Sequence, residues 1–317
     1  MDRAILALLA CVPARLARHA LFLMQVHPAL VDRLGYHVRA IHYYDPLPDF
    51  RQLRAAELSR RRRFPALRFD WLEQAARLER LGRAFGAEIT ALRSSPGTGQ
   101  DAGFDFDNDY FAGFDAALYY AFIRDLKPRR IIEVGCGYST RIAHQALRRN
   151  RDEGNPGALT SIEPYPDVRL TGARIEMTLI EQPIEELDLT LFDSLESGDI
   201  LFIDSSHAVR TGGDVCRELL DILPALKSGV YVHVHDIFLP RDYPADWLIE
   251  RRIAFTEQYL LEAFLAYNET FEIVAANHWL SLDHADSVAR LWPGVQPPGS
   301  FHGRSSFWMR KLDRRGE

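Results

Sequence analysis

Two stretches of this sequence set titratable side chains where they could do chemistry. Phe202-Ile-Asp204-Ser-Ser-His207 puts a carboxylate and an imidazole three residues apart at the end of an apolar run. His233-Val-His235-Asp236-Ile-Phe238 ends a second apolar run in an imidazole beside a carboxylate. Histidine exchanges a proton near neutral pH, and a carboxylate can orient it or steady its charged form. Asp204, His207, His235 and Asp236 are thus suited to acid–base work, with His207 as the base. The same residue types could ligate a divalent metal, with Asp204, His235 and Asp236 as the ligands; a histidine ligand suits a transition metal better than magnesium. His233 alternates with His235, so both face one side of a strand, where His233 is expected to be buried and hydrogen-bonded. His278 is a further candidate for an acceptor pocket.

A third stretch, Glu133-Val-Gly135-Cys-Gly137-Tyr-Ser139-Thr140, reads as a binding loop. Gly135 and Gly137 let the backbone turn sharply and let a ligand approach it closely. The helix that follows offers free N–H groups, with Ser139 or Thr140 available to cap its start. Thr140 stands where a dinucleotide fingerprint would carry its third glycine. Glu133 would repel a pyrophosphate and would suit an ammonium. Both details count against an NAD-dependent oxidoreductase. Cys136, inside the loop, is expected to act as a small hydrophobe.

These residues need elements to hold them. Apolar runs at Arg130–Val134, Leu159–Ile162, Ile175–Ile180, Ile200–Ile203, Val230–Val234, Phe271–Ala275 and Phe307–Leu312 read as seven strands. Helical segments at Tyr110–Leu126, Thr140–Arg149, Asp214–Leu226 and Thr256–Ala266 alternate with them. Such alternation predicts an α/β fold: a doubly wound, mostly parallel, Rossmann-like sheet covered on both faces. Ligands of such sheets sit outside the carboxyl ends of the strands, where every residue singled out above lies. Ahead of the sheet, residues 1–103 read as a helical N-terminal cap or lid. Its spacing is strongest over Phe69–Phe85, where Leu72, Ala75, Leu78, Leu81 and Phe85 share a face. The turn-forming run Ser94–Gly103 marks the boundary with the domain at 104–317.

Ile-Ile-Glu133-Val-Gly135-Cys-Gly137 resembles the first motif of the class I S-adenosylmethionine-dependent methyltransferases. The resemblance covers roughly Asp109–Leu312 and makes S-adenosylmethionine the expected cofactor. The second strand ends in Ser161-Ile-Glu163-Pro164, 30 residues after Glu133. In that family an acidic residue there binds both ribose hydroxyls, which implies this role for Glu163. Tyr110 and Phe111 are expected to pack on the methionyl part or the substrate, and the adenine is expected near Gln182-Pro183. Asp204-x-x-His207 resembles the metal-dependent macrolide sugar O-methyltransferases, in which the Asp is a metal ligand and the His the proposed base. Their fifth strand ends in an acidic pair, whereas here it ends in His235-Asp236. The group also resembles the cephalosporin hydroxylase-like proteins, which keeps a metal-dependent oxygenase as the alternative on the same scaffold.

The 317 residues carry a formal charge of −6, so they exert no general attraction on nucleic acid. The basic clusters Arg60–Arg63 and Arg148-Arg149 read as solvated faces. Three cysteines, Cys11, Cys136 and Cys216, lack metal-type spacing and fit a reducing cytoplasm. The apolar run Ile5–Val12 is far short of the roughly 20 residues a spanning helix needs. The expected partner is a small-molecule acceptor, probed through the lid segments Gly35–Pro48, Pro240–Trp247 and Trp292–Ser300. A homo-oligomer is compatible with the sequence.

Overall fold

The computed structural model describes residues 13–62, 67–94, 103–106, 108–167, 174–292, 295 and 303–313. The chain divides into two compact units, Met1–Leu53 and Arg54–Glu317. The first contains the helices α1 (Ala14–Val26) and α2 (Pro28–Asp32). The lid segment Gly35–Pro48 belongs to it. The run Ile5–Val12, most of Ser94–Gly103 and most of Trp292–Ser300 lie outside the described residues. Among the described residues, no helix is long and apolar enough to cross a membrane.

In the second unit seven strands form one sheet in the order β3-β2-β1-β4-β5-β7-β6. They are β1 (Arg130–Val134), β2 (Ala158–Ile162), β3 (Thr178–Ile180), β4 (Ile200–Ile203), β5 (Tyr231–Val234), β6 (Phe271–Ala276) and β7 (Phe307–Lys311). Neighbours from β3 to β5 are parallel, and β7 runs antiparallel between β5 and β6. The doubly wound reading holds. β1, β4 and β5 are almost wholly buried, as central parallel strands with both faces covered must be. Chain direction across the sheet reverses between β1 and β4, and that switch point opens a crevice at their carboxyl ends.

The helices in this unit are α3 (Ala55–Leu58), α4 (Trp71–Ser94), α5 (Gly113–Leu126) and α6 (Tyr138–Asp152). After them α7 runs through Asp214–Cys216, a π-helical turn Arg217–Ile222, and Leu223–Ala225. Then come α8 (Ala245–Ile249), α9 (Glu257–Leu265), α10 (Asn277–Asp283) and α11 (Ala285–Leu291). α5 is apolar nearly all round and buried from Gly113 to Arg124, so it is a core helix. It ends where Lys127 turns left-handed at φ 48°, just before Pro128.

α4 is longer than its periodicity suggests and packs on the sheet domain. Gln74 Oε1 accepts the Ala276 N–H at 3.0 Å, Arg77 donates to Val274 O at 2.7 Å, and Glu88 meets the buried Arg124 of α5 at 2.9 Å. The compact units accordingly divide between Leu53 and Arg54, not near residue 103. Leu72 is 76% exposed, although its spacing puts it with Leu78 and Leu81 in the core. The helix begins only at Trp71, and in its first turn the buried Gln74 takes the inner side while Leu72 lies opposite it. β3 is also shorter than expected, three residues instead of six. Arg62 is not simply solvated: it pairs with Glu262 at 3.1 Å.

Candidate functional site

The loop after β1 is built on two interactions. Gly135 has φ 81°, and a Cβ there would lie 2.0 Å from the carbonyl oxygen of Asp204. Only glycine lets β1 and β4 come this close as they splay at the switch point. Gly137 differs: its φ is −177°, and a Cβ would meet nothing within 4 Å. Protein packing does not require a glycine there, so the open space is free for a ligand. Gly135→Ala is therefore expected to destabilise by about 3 kcal/mol or more, from left-handed strain plus overpacking. Gly137→Ala should leave stability within about 1 kcal/mol of wild type while weakening ligand binding. Urea unfolding of both variants checks the contrast; equal losses would refute it.

Glu133 does not face the crevice. It is fully buried and accepts hydroxyl hydrogen bonds from Ser139 (2.6 Å), Thr140 (2.7 Å) and Ser161 (2.9 Å). Thr140 Oγ1 also accepts the Gly137 N–H at 2.9 Å. α6 starts at Tyr138, two residues earlier than expected. Ser139 and Thr140 thus sit inside its first turn and tie the loop to β1 and β2, rather than offering free hydroxyls. This corrects the expectation that Glu133 meets a ligand ammonium directly: the hydroxyls already occupy most of its acceptor sites.

Burial pushes the Glu133 carboxyl up to about 7, against the pull of the three hydroxyls. A carboxyl with a raised folded pKa contributes stability that is full below its unfolded value near 4.5 and is lost as pH rises to about 7. The loss is about 3 kcal/mol. Glu133→Gln, neutral throughout, should gain that amount relative to wild type between these two pH values. Urea unfolding across the range checks it, and a difference that stays flat with pH would refute it.

Glu163 stands at the end of β2 beside a cleft of 450 Å³ whose lining also includes Gly135, Pro183, Ile184, Asp204 and Ser206. Its carboxylate accepts the Tyr165 N–H at 2.8 Å and the Cys136 N–H at 3.4 Å. Two acceptor positions remain for hydroxyls. Pro183, near which the adenine is expected, lines the same cleft. Burial raises the Cys136 thiol to about 12, so it is inert, as expected of a small hydrophobe. Of the two aromatics ahead of α5, Tyr110 is exposed and stacks on Tyr138 with centroids 5.7 Å apart. Phe111 is buried, with its ring 5.0 Å from that of His235.

β4 and β5 lie side by side, so their ends bring Asp204, His207, His235 and Asp236 together. Asp204 Oδ1 is 3.2 Å from His207 Nε2 and 3.4 Å from His235 Nδ1. Asp236 Oδ2 is 3.9 Å from His207 Nε2, and Asp236 Oδ1 accepts from Ser305 Oγ at 2.8 Å. His207 and Asp236 hold left-handed backbones, φ 57° and 54°. Non-glycine residues reach this region only when their surroundings enforce it, and such residues cluster at functional sites. For His207 the enforcement is visible: its carbonyl accepts the N–H groups of Thr256 (2.9 Å) and Glu257 (3.2 Å) at the start of α9.

Burial alone would lower the pKa of both imidazoles. For His207, hydrogen bonds to Asp204 and Glu257 outweigh it; for His235, the charges of Asp204 and Asp236 do. Both are raised well above the usual histidine range. Asp204 is held well below the carboxylate range, because the two imidazoles overcome its burial. The ligand-free site is therefore a cluster of imidazolium–carboxylate pairs.

His233 is buried on the same side as His235, as expected, but neither of its ring nitrogens has a hydrogen-bond partner. Its ring stacks on Phe202 at 4.3 Å, and burial keeps it neutral. His278 is buried against Phe238, 5.1 Å between centroids, and burial lowers its pKa to about 3. It does not join the cluster.

Among the described residues, no group of three or more His, Cys, Asp or Glu side chains is arranged to hold a metal ion. The three expected ligands nevertheless lie together: His235 Nδ1 is 3.4 Å from Asp204 Oδ1 and 3.7 Å from Asp236 Oδ1. Three residues were missed from sequence. Glu257 grips His207. Asp115, fully buried, lies 3.7 Å from His235 Nε2. Ser305 holds Asp236. They lie 50 to 120 residues in sequence from the site residues they contact, with no local motif to mark them.

Residues 132–237, which supply most of this site, match the family model described as Methyltransferase domain. An uncharacterized protein of Archaeoglobus fulgidus is 28% identical over 167 residues, 50% of this chain and 74% of that protein. Among solved structures, the O-methyltransferase from Bacillus cereus in complex with SAH is similar over 78% of this chain and 94% of that one, at 10% identity and a TM-score of 0.38. The chain named cmcI-D160 Mg-SAM is similar over 68% of this chain and 77% of its own, at 16% identity and a TM-score of 0.35. Likeness at this level carries no argument about the site.

Proposed function

We propose that this protein is a methyltransferase that takes a methyl group from S-adenosylmethionine and delivers it to a hydroxyl of a small molecule, with His207 as the base; the match of residues 132–237 to a methyltransferase domain supports the activity. One residue carries the reading. Asp204 lines the 450 Å³ cleft beside Glu163, and its carboxylate lies 3.2 Å from His207 Nε2. The donor cleft and the proton-accepting group therefore meet at one strand end.

The cleft residues fit the donor. Glu163 has two acceptor positions left for ribose hydroxyls, and the open side of Gly137 leaves room for close backbone approach. When bound, S-adenosylmethionine supplies an electrophilic methyl group on a sulfonium. His207 and His235 hold their protons in the ligand-free site. A positive charge beside them disfavours the imidazolium form and lowers their pKa. His207 then gives its proton up to solvent and can take another from the acceptor hydroxyl. Asp204 and Asp236 steady the imidazolium that results.

An oxygen acceptor follows from this machinery, because a hydroxyl must lose its proton during attack, and a buried histidine between carboxylates can take it. The test is transfer of labelled methyl from S-adenosylmethionine to a fractionated extract of small molecules, with the product linkage read by NMR. An O-methyl product is expected. An N- or C-methyl product would overturn the acceptor class, and absence of S-adenosylmethionine binding by calorimetry would overturn the donor.

A further inference from the structure

Glu257 has no role in the donor cleft, yet its side chain is among the most completely buried carboxyls in the protein. Its environment differs from that of a neighbouring buried acid. Asp115, equally buried, is satisfied on both oxygens: Oδ1 accepts from Asn277 Nδ2 and the Ser306 N–H, and Oδ2 from the Ser305 N–H. Glu257 Oε2 meets only the His207 ring, at 2.7 Å, and Oε1 has no hydrogen-bond partner. A buried carboxyl with one partner is costly unless that partner needs it.

His207 and Glu257 also meet through the backbone. The His207 carbonyl accepts the N–H groups of Thr256 and Glu257 at the start of α9, and the Thr256 hydroxyl accepts the Val209 N–H at 2.7 Å. The left-handed turn at His207 is thereby fastened to the same helix end that grips its ring. Phe255, one residue further back, covers the imidazole with centroids 4.6 Å apart. Glu218 is held close by as well: the π-helical turn of α7 carries it, fully buried, onto Ser205 Oγ at 3.1 Å. A π turn within an α-helix often marks a site where function has displaced regular geometry.

We propose that Glu257 is a positioning residue: it accepts the Nδ1–H of His207, fixes the ring in that tautomer, and so leaves Nε2 as the nitrogen turned towards Asp204, Asp236 and the acceptor. This rests on His207 being the base. An imidazole protonated at Nδ1 presents a lone pair only at Nε2. Without the carboxylate the neutral ring would be free to carry its proton on Nε2 and to turn over, which would aim a donor at the acceptor instead of a base. Asp204, Asp236, Glu218, Asp214 and Tyr243 are the other titratable groups around this pair; of these, Asp204 and Asp236 lie on the Nε2 side of the ring.

The test is ring-nitrogen NMR on the full chain labelled with ¹⁵N-histidine, at a pH where the ring is neutral. His207 is assigned by the signal absent from His207→Asn. The wild type should show His207 as a single Nδ1–H tautomer with a strongly hydrogen-bonded proton. Glu257→Ala should lose that proton signal and move towards the Nε2–H form. Glu257→Gln, which keeps an acceptor of the same size, should restore it and covers the case in which the alanine variant does not fold. A His207 spectrum unchanged in Glu257→Ala would overturn the proposal. So would Glu257→Gln behaving like Glu257→Ala, because packing rather than the hydrogen bond would then have been lost. Calorimetry with S-adenosylhomocysteine separates the two readings. Both variants should bind it as the wild type does, and failure of the wild type to bind would sink the donor reading while leaving the tautomer result in place.

Discussion

Replacing Glu163 with alanine is expected to weaken S-adenosylmethionine binding about 100-fold or more, because two charge-assisted hydrogen bonds of about 1.5–3 kcal/mol each would be lost. The carboxylate is already oriented by the Tyr165 and Cys136 N–H groups at 2.8 and 3.4 Å, so no ordering cost offsets what it gains from a ligand. Two neighbouring hydroxyls, as on a ribose, match its two remaining acceptor positions. Glu163→Gln keeps one acceptor oxygen and should fall between alanine and wild type. Glu163 is only partly buried, so neither change should unfold the chain. Calorimetric titration with S-adenosylmethionine and S-adenosylhomocysteine is the measurement. An unchanged Kd in Glu163→Ala would remove the ribose role and, with it, the assignment of the cleft.

How far this site was legible in the sequence depends on how local each interaction is. The loop after β1 was legible because strand, glycine turn and helix are contiguous. The meeting of Asp204 and His207 with His235 and Asp236 was legible because adjacent parallel strands must end side by side. What those side chains face was not legible. Glu133 looked like a ligand for an ammonium, yet three hydroxyls, from Ser139, Thr140 and Ser161, turn it into the fastening of the loop. His233 was expected to find a hydrogen bond, but aromatic rings surround it. Glu257 could not be read at all, since nothing in Thr256-Glu257-Gln258 says that it lies against a turn 50 residues earlier. The π turn in α7 was equally hidden, because its apolar spacing passes for an ordinary helix. The placing of α4 is a related case. The Ser94–Gly103 run is a real break in pattern, but a break in pattern does not show that α4 packs on the sheet domain beyond it.

His207 decides whether the carboxylates around it serve a reaction or merely neutralise one another. Its backbone is left-handed, so alanine would add strain of about 1–2 kcal/mol to the loss of the ring. Asparagine tolerates that conformation and has no basic nitrogen, which makes His207→Asn the cleaner variant. Turnover, followed as S-adenosylhomocysteine release in the presence of acceptor, should fall by about 100-fold or more, the usual worth of a positioned base. Donor affinity should hold within a few-fold, because the cleft is lined by Asp204, Ser205 and Ser206 but not by His207. The two effects separate chemistry from binding. Loss of both together would make His207 a structural residue, and undiminished turnover would exclude it as the base. The pH profile adds a second constraint. Hydrogen bonds from Asp204 and Glu257 overcome burial and raise the His207 pKa, so the free ring is protonated at neutral pH and becomes a base only as pH rises through that raised value. Wild-type kcat/KM should therefore increase towards alkaline pH, and the residual activity of His207→Asn should lack that rise. A wild-type rate that falls with increasing pH would mean that the imidazolium, not the imidazole, is the working form.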